Sequence, residues 1–472
     1  MNIEKNTNKL SSDKKKLRLK WLDLFRKNNF RYCILRGYDD AVSANDIEVD
    51  VLLHPEDLCR VRSVMLNEGY VLRSKFSNHP HFPFYLYDAN GIVSIIDIVI
   101  EVRAGQNSKL WPVISTEQVL SRSIQKNNIP VISDADEFAL TLLHEILDKG
   151  RIRNEWRHDV KSRLRHSDDS TKILSEILKS HRLASNLVEL ITQHEFEKAV
   201  TLSHQIQLHL FYKNIRKSIF IGVRSLLAKI WEKNWLKGPR VISFVGIDGS
   251  GKTSITSMLS KRAIENKKII NCKLGHGSER SYRYPITALI CPVSAISKSE
   301  ALKELSDTSS SRSSKIYISI ALFKLWKLIS RIAPLHRQIS SILIPFLFWL
   351  EDTIEITILK RKSSRRDFIV TDRHLIDGIV HNVAYKGTSS RLYNLFYYNL
   401  AKTTQLMVFI NCSGSTAYER KQEILPKTGD ILNESYKYWL VNNYSKPQVW
   451  LDSSKPIEQL CKELDIIIQT LE

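Results

Sequence analysis

Residues Gly246 to Thr253 read GIDGSGKT, a G-x-x-x-x-G-K-[ST] run whose glycines, single lysine and hydroxyl are spaced to grip a polyphosphate. Gly246, Gly249 and Gly251 let the main chain wrap closely, so that N–H groups around Ser250 and the start of the next helix face negative charge. Lys252 then reaches the β- and γ-phosphates of ATP as a point charge, and the Thr253 hydroxyl ligates Mg2+. Phosphoryl transfer also needs a carboxylate near the metal and cations around the moving group, because its transition state spreads charge over the phosphoryl oxygens. The run DFIVTDRH supplies Asp372 and Arg373 at the end of a β-type stretch. Asp372 is expected to orient Mg2+ through water and Arg373 to bind the phosphate of a small anionic acceptor. A solvated Asp–Arg pair in a turn is the plainer alternative.

A second group of acids lies near the N-terminus. In EVDVLLHPED, Glu48 and Asp50 are two apart, so on a strand both point to one face, and Asp97 lies in another such run, SIIDIVI. Three acids converging from neighbouring strands hold two divalent metals, the arrangement that clamps the oxygens of a phosphoryl or nucleotidyl transfer. The same alternation also describes the polar face of an edge strand, with Asp46 continuing it.

These groups need elements to carry them. A strand over Val241–Ile247 precedes the glycine-rich loop and an amphipathic helix follows it. Phe368–Val370 and LMVFINC read as further strands, the latter followed by Tyr418, Glu419, Arg420 and Lys421 opening a basic, mobile-looking segment to Lys427. Upstream, RYCIL, VDVLL and SIIDIVI read as strands and Asp57–Glu68 as a helix. Ser133 with Asp136 resembles a capping box opening a helix that stops at Gly150, and helical periodicity continues to Trp235. Gly238 and Pro239 punctuate the boundary before the loop-bearing half. Ser306–Ser314 reads as a loop and Lys315–Lys362 as two long helices. The resulting organisation is an α/β domain over 20–125, a helical extension and connector over 126–237, and an α/β phosphate-loop domain with a parallel sheet and flanking helices over 238–472.

Composition bounds the partners. The chain has 472 residues, a length for two to four domains at roughly 100–200 residues each. Lys and Arg number 70 against 50 Asp and Glu, so at +20 an anionic partner is favoured, although surface solvation also accounts for such a balance. The tryptophans are dispersed, which weighs against nucleic acid. Six cysteines without a C-x-x-C pair argue against a disulfide framework or zinc knuckle and point to a reducing, cytoplasmic setting. The basic, polar N-terminus has no apolar core and is not a secretory signal. The most apolar run, Ile339–Leu350, has twelve residues; a bilayer-crossing helix needs roughly 18–20, so none is expected. A core helix is the first reading of that run, with peripheral membrane contact the alternative, since Lys324, Lys327 and Arg331 lie upstream. A homodimer is left open.

GIDGSGKT, TDRH, AYKG at Ala384–Gly387 and ERKQE at Glu419–Glu423 stand in the order and rough spacing of the thymidylate kinase family, which the chain resembles from about Arg240 onward. The resemblance implies a phosphate-loop kinase in which Asp248 contacts the acceptor sugar, Arg373 the acceptor phosphate, and Arg420 with Lys421 forms a lid over the donor. Gly249 stands where some members carry an arginine, so the catalytic cation would come from that lid. Lys386 stands where the family usually has a base-reading glutamine; a changed reader implies a changed acceptor, contacted here by Lys386. GHGSERSYRY offers His276, Arg280 and Arg283 to such an acceptor, or is a solvated loop.

Leu35–Gly37, then Glu48 with Asp50, then Asp97 resemble the polymerase-β type of nucleotidyltransferase over roughly residues 20–190, with Arg36 where that family has a small residue before or after glycine. The resemblance implies metal-binding carboxylates and a nucleotidyltransferase activity, or an inactive ligand-sensing form of the same fold. Two rival readings share these features: an NTPase switch or nucleotide sensor whose basic surface meets nucleic acid or membrane, and an assembly protein docking through its helical middle. Convergence of Asp372, Arg373 and Arg420–Lys427 near the loop favours the kinase.

Overall fold

The computed structural model describes residues 16–36, 38, 48–73, 80–89, 91–105, 111–154, 156–157, 167–235, 239–261, 269–272, 353, 356–364, 367–372, 374, 376–386, 404–444 and 446–470. The chain divides into two units, one of residues 1–234 with 445–449 and 466–472, the other of 235–444 with 450–465.

The first unit contains β1 (Tyr32–Arg36), β2 (Glu48–Leu53), α1 (Leu58–Asn67), β3 (Val71–Leu72), β4 (His81–Asp88), β5 (Gly91–Val99), β6 (Val102–Ala104), β7 (Trp111–Ile114), α2 (Thr116–Ser121), β8 (Ile124–Lys126) and β9 (Ile129–Val131). Its sheet runs β3-β4-β5-β2-β1-β9-β8, with β6 and β7 forming a separate pair. Then come α3 (Asp134–His144), α4 (Ser167–Leu178), α5 (His181–Thr192), α6 (Phe196–Thr201), α7 (Ser203–Lys213) and α8 (Ile215–Trp235). The Ser133 hydroxyl accepts from the Asp136 N–H at 3.1 Å and opens α3, and Gly150, at φ +65°, ends the turn that continues it. Phe138 and Leu142 from this helix and Ile146 from the turn that continues it join Leu174, Leu187 and Leu210 from the later helices in one core with Cys33 and Leu52 of the sheet. Strand β4 escapes the sequence reading because Pro83 interrupts it. The Pro83 carbonyl accepts from Arg73 N–H at 3.0 Å, so the ring nitrogen faces the end of β3, where little ladder remains to lose.

The second unit contains β10 (Arg240–Val245), α9 (Lys252–Lys261), β11 (Ile269–Cys272), β12 (Phe368–Thr371), α10 (Ile376–Lys386), β13 (Leu406–Asn411), α11 (Gly414–Lys421) and α12 (Pro426–Asn443), with residues 450–452 of β14 (Gln448–Asp452) and residues 457–465 of α13 (Ile457–Gln469). Its strands lie in the order β11-β12-β10-β13-β14. β10 pairs in parallel with both β12 and β13, and β11 with β12. Val241, Ile242, Phe244, Ile369, Val370 and Leu406–Ile410 are all buried, as expected for a parallel sheet covered on both faces. β10 is first in sequence but central in space, and its later neighbours lie on opposite sides. Such a reversal leaves a crevice outside the carboxyl ends of the strands.

The stretch expected to be a mobile basic segment differs from that expectation. Tyr418–Lys421 is the last turn of α11, which Ser413 caps, and α12 begins at Pro426, which suits a first helical turn. Only residues 422–425 lie between the two helices. The expected loop over 306–314, the His276–Arg283 turn and the apolar run 339–350 lie outside the described residues. Among the described residues no helix is long and apolar enough to cross a membrane.

Candidate active site

β10 ends at Val245 and the glycine-rich loop opens at the crevice. Two of its glycines are required by their surroundings. Gly246 has φ +145° and a Cβ there would stand 2.8 Å from the Ile410 carbonyl oxygen of β13; Gly249 has φ +86° and its Cβ would stand 2.5 Å from the Ala417 oxygen of α11. Although some members of the family that the sequence resembles place an arginine at this point, here any side chain would push α11 off the loop. Gly249→Ala is therefore expected to destabilise the second unit by about 2–4 kcal/mol. Thermal denaturation with and without ATP checks this: an unshifted melting temperature would mean that α11 yields freely.

The Lys252 ammonium is buried and donates to the Gly246 and Ile247 carbonyls at 2.6 and 2.8 Å, with Asp248 Oδ1 at 3.6 Å. It thus spans the mouth of its own loop. The pairing of Ser243 with Thr371 sets the end of β12 beside the end of β10, and Asp372 follows at once. Thr253 Oγ1 donates to Asp372 Oδ2 at 3.1 Å. Asp372 Oδ1 and Ser250 Oγ are buried with no hydrogen-bond partner among the described residues. Oxygen donors of this kind, one of them an unsatisfied carboxylate oxygen, fit a hard divalent cation such as Mg2+.

Arg420 reaches the loop from α11. Its guanidinium donates to the Ser250 carbonyl at 3.4 Å and to the Ser453 carbonyl at 2.9 Å. Asp430 accepts from the Gly414 N–H at 2.7 Å and ties the start of α11 to α12. Lys421 instead pairs with Glu423 at 3.0 Å on the surface. The structure thus brings together Gly246, Asp248, Gly249, Ser250, Gly251, Lys252, Thr253, Asp372 and Arg420. Arg373 lies outside the described residues, as does the side chain of Lys386, which closes α10.

His374, unremarked in the sequence beyond its place in TDRH, supports this edge from beneath. It is fully buried, its Nδ1 accepts from the Ile376 N–H at 3.2 Å, and its Nε2 lies 3.4 Å from Thr404 Oγ1, which in turn lies 3.0 Å from Ser243 Oγ. Asp377 accepts from the His374 N–H at 3.2 Å and from the Tyr436 hydroxyl at 2.7 Å, so the turn after Asp372 is fastened to α12. The sequence signal is the spacing of His374 and Asp377, a local cap of the kind that opens helices.

Burial pulls the His374 imidazole down to about 3. In the unfolded chain it titrates near its ordinary ~6.5. Below that pH the unfolded chain binds a proton that the folded chain refuses, so this contribution is present above pH ~6.5 and lost as pH falls toward the folded value. His374→Gln is expected to make urea-unfolding stability less steep between pH 7 and 5, removing roughly 1–2 kcal/mol of the acid-induced loss. Parallel pH profiles for parent and variant would exclude this role.

In the first unit, β2 and β5 run parallel with Asp50 opposite Asp97, Glu48 opposite Ile95, and Arg36 of β1 opposite Asp50. Asp97 Oδ2 lies 2.7 Å from His81 Nδ1, and its Oδ1 is buried without a partner among the described residues. A cavity of about 80 Å3 is lined by Arg36, Asp50, His81, Arg103 and His144 among others. Among the described residues no group of three or more His, Cys, Asp or Glu side chains is arranged to hold a metal ion. Asp50 and Asp97 are thus adjacent, whereas Glu48, exposed at the start of its strand, does not complete a three-ligand set with them.

No protein-family model matches the chain, and no curated protein matches it. Among solved structures it is similar to deoxyadenosine kinase from M. mycoides with bound dATP, at 15% identity and a TM-score of 0.27, over 49% of this chain and 98% of that one. A score of 0.27 does not by itself establish a common fold, so the fold assignment rests on this chain's strand order and loop.

Proposed function

We propose that the second unit is a magnesium-dependent phosphotransferase that moves the γ-phosphoryl group of ATP to a small phosphorylated or hydroxyl-bearing acceptor, as nucleoside monophosphate kinases do. The observation that carries this reading is the meeting of Lys252, Thr253 and Asp372 at the carboxyl end of the central strand. Thr253 and Asp372 would hold Mg2+, which when bound neutralises phosphate charge. Lys252 exchanges its two loop carbonyls for phosphate oxygens, a gain because hydrogen bonds between two ionised groups are the stronger kind. Arg420, resting on the carbonyls of Ser250 and Ser453, is the cation nearest to hand for the charge that develops during transfer. Arg373 and Lys386 are assigned to the acceptor.

Purified protein incubated with γ-labelled ATP, Mg2+ and a panel of nucleoside monophosphates, sugars and sugar phosphates is expected to label one acceptor class, and the Lys252→Ala variant to label it far more slowly. Label released only as inorganic phosphate, whatever the acceptor, would replace this reading with an NTPase switch.

For the first unit, nucleotidyl transfer remains a separate proposal, supported by Asp50 beside Asp97 with its buried, unpartnered oxygen. Incorporation of label from α-labelled nucleotide is expected to be lost in Asp50→Asn and Asp97→Asn but kept in Lys252→Ala. Equal incorporation by Asp50→Asn and the parent would remove the activity from the account.

A further inference from the structure

Helix α3 turns one face to the cavity of about 80 Å3 in the first unit: Glu137, Leu140, Thr141 and His144, spaced i, i+3, i+4 and i+7, all line it. The sheet and β6 contribute Arg36, Asp50, His81 and Arg103. His144 is the last residue of α3, and Asp148 lies four positions on, in the π-helical turn Glu145–Lys149 that continues it. Single turns of this kind are frequent at functional sites. His144 Nδ1 and Asp148 Oδ2 are 2.9 Å apart. The other oxygen of Asp148 accepts from the Gly105 N–H after β6, so the carboxylate is held from a second element and keeps the imidazole in one orientation. The turn itself is pinned, since the buried Glu145 accepts from the Arg153 N–H at 3.0 Å and pairs with its guanidinium at 2.7 Å.

A carboxylate on Nδ1 fixes the tautomer whose proton sits there and leaves the lone pair on Nε2, the arrangement of a proton acceptor. A surface pair at this spacing would leave both side chains in solvent, whereas His144 and Asp148 are only 20% and 11% exposed. Arg36 and Arg103 cannot accept a proton. Asp50 and Asp97 belong to the metal in the nucleotidyltransferase reading, and His81 is committed to Asp97 at 2.7 Å. Glu137 lines the cavity too, but a carboxylate takes up a proton less readily than an imidazole. The cavity admits a few water-sized groups, enough for a hydroxyl and the atoms beside it.

We infer that His144 is the proton acceptor for a hydroxyl-bearing substrate of the first unit, with Asp148 as its positioning residue, an assignment that rests on the nucleotidyltransferase reading of that unit. The substrate O–H gives its proton to Nε2 as its oxygen bonds to the α-phosphorus of a nucleoside triphosphate. The bond from that phosphorus to the bridging oxygen breaks, and pyrophosphate leaves with the electron pair.

Full-length parent and variants are assayed with α-labelled nucleoside triphosphates, Mg2+ and a panel of sugars and nucleosides. His144→Gln and His144→Ala are expected to lower kcat about 10²–10⁴-fold with KM for the nucleotide unchanged. His144→Gln keeps a polar side chain of similar reach, so its melting temperature should match the parent's. Added imidazole should raise the rate of His144→Ala about tenfold or more, which a merely structural histidine would not allow. Asp148→Asn is expected to lose rate as well, since an amide can donate to Nδ1 and reverse the tautomer; imidazole should not help it, because the His144 ring still fills its place. A parent-like rate in His144→Gln overturns the assignment, and so does a His144→Ala variant that imidazole leaves inactive. If Asp50→Asn is inactive while His144→Gln keeps the parent's rate, the carboxylate site stands and only the proton acceptor is wrong. If the parent itself incorporates no label, the nucleotidyltransferase reading falls and this assignment falls with it.

Discussion

Lys252→Ala is expected to transfer the γ-phosphoryl group of ATP about 10²–10³-fold more slowly than the parent, the cost of removing one preorganised donor from the developing charge. The ammonium is buried and already aimed across the loop, held by the Gly246 and Ile247 carbonyls at 2.6 and 2.8 Å. Little reorganisation is then needed when phosphate oxygens replace those carbonyls. Lys252→Arg should not restore the rate, because a planar guanidinium cannot present the compact charge that fits between two neighbouring carbonyls. Single-turnover transfer from labelled ATP measures the effect. A rate equal to the parent's would show that the loop does not hold the reacting phosphates.

Asp372→Asn is expected to lower metal affinity or activity about 10–100-fold, the range seen when a group that orients a metal site is changed. Asparagine keeps an oxygen for the Thr253 hydroxyl, which now donates to Asp372 Oδ2 at 3.1 Å, so the fold of this edge is preserved. What disappears is the negative charge and the unsatisfied Oδ1. The effect is therefore read as a shift of the Mg2+ titration to higher concentration, with maximal rate recovered in part at saturation. A titration midpoint that does not move would detach Asp372 from the metal.

The two predictions separate two kinds of failure. If Lys252→Ala is silent, the phosphate grip is wrong; if only Asp372→Asn is silent, the grip stands and the metal is oriented by something else. Loss through Gly249→Ala would report neither, since that residue acts by letting α11, and with it Arg420, close on the loop.

Much of this arrangement is written locally. GIDGSGKT declares its use because phosphate binding needs backbone amides, glycine conformations and a lysine within one turn of chain, and all of these are near neighbours in sequence. The strand before it, and the Ser133 cap and Gly150 stop of α3, are legible for the same reason: a short continuous apolar, β-branched run and a helix cap each involve residues only a few positions apart. Arg420–Lys427 misleads because charge and polarity resemble a loop, whereas Ser413 and Pro426 impose two helix starts and α11 is fastened to α12 by Asp430.

By itself, then, the sequence determined the chemistry on offer: a phosphate-gripping loop, a carboxylate and arginine after a later strand, and paired acids near the N-terminus. Tertiary structure decided which of them meet. Asp372 is 119 positions from Thr253 and reaches it only because β12 pairs with β10 in parallel. Arg420 is 170 positions from Ser250 and reaches it through the packing of α11 over Gly249. Asp50 and Asp97 stand side by side while Glu48 is left at the strand's exposed end. The physical reason is range: backbone dihedrals and side-chain periodicity act over a few residues, whereas the parallel register and the burial that selects it are properties of strands joined by long crossovers.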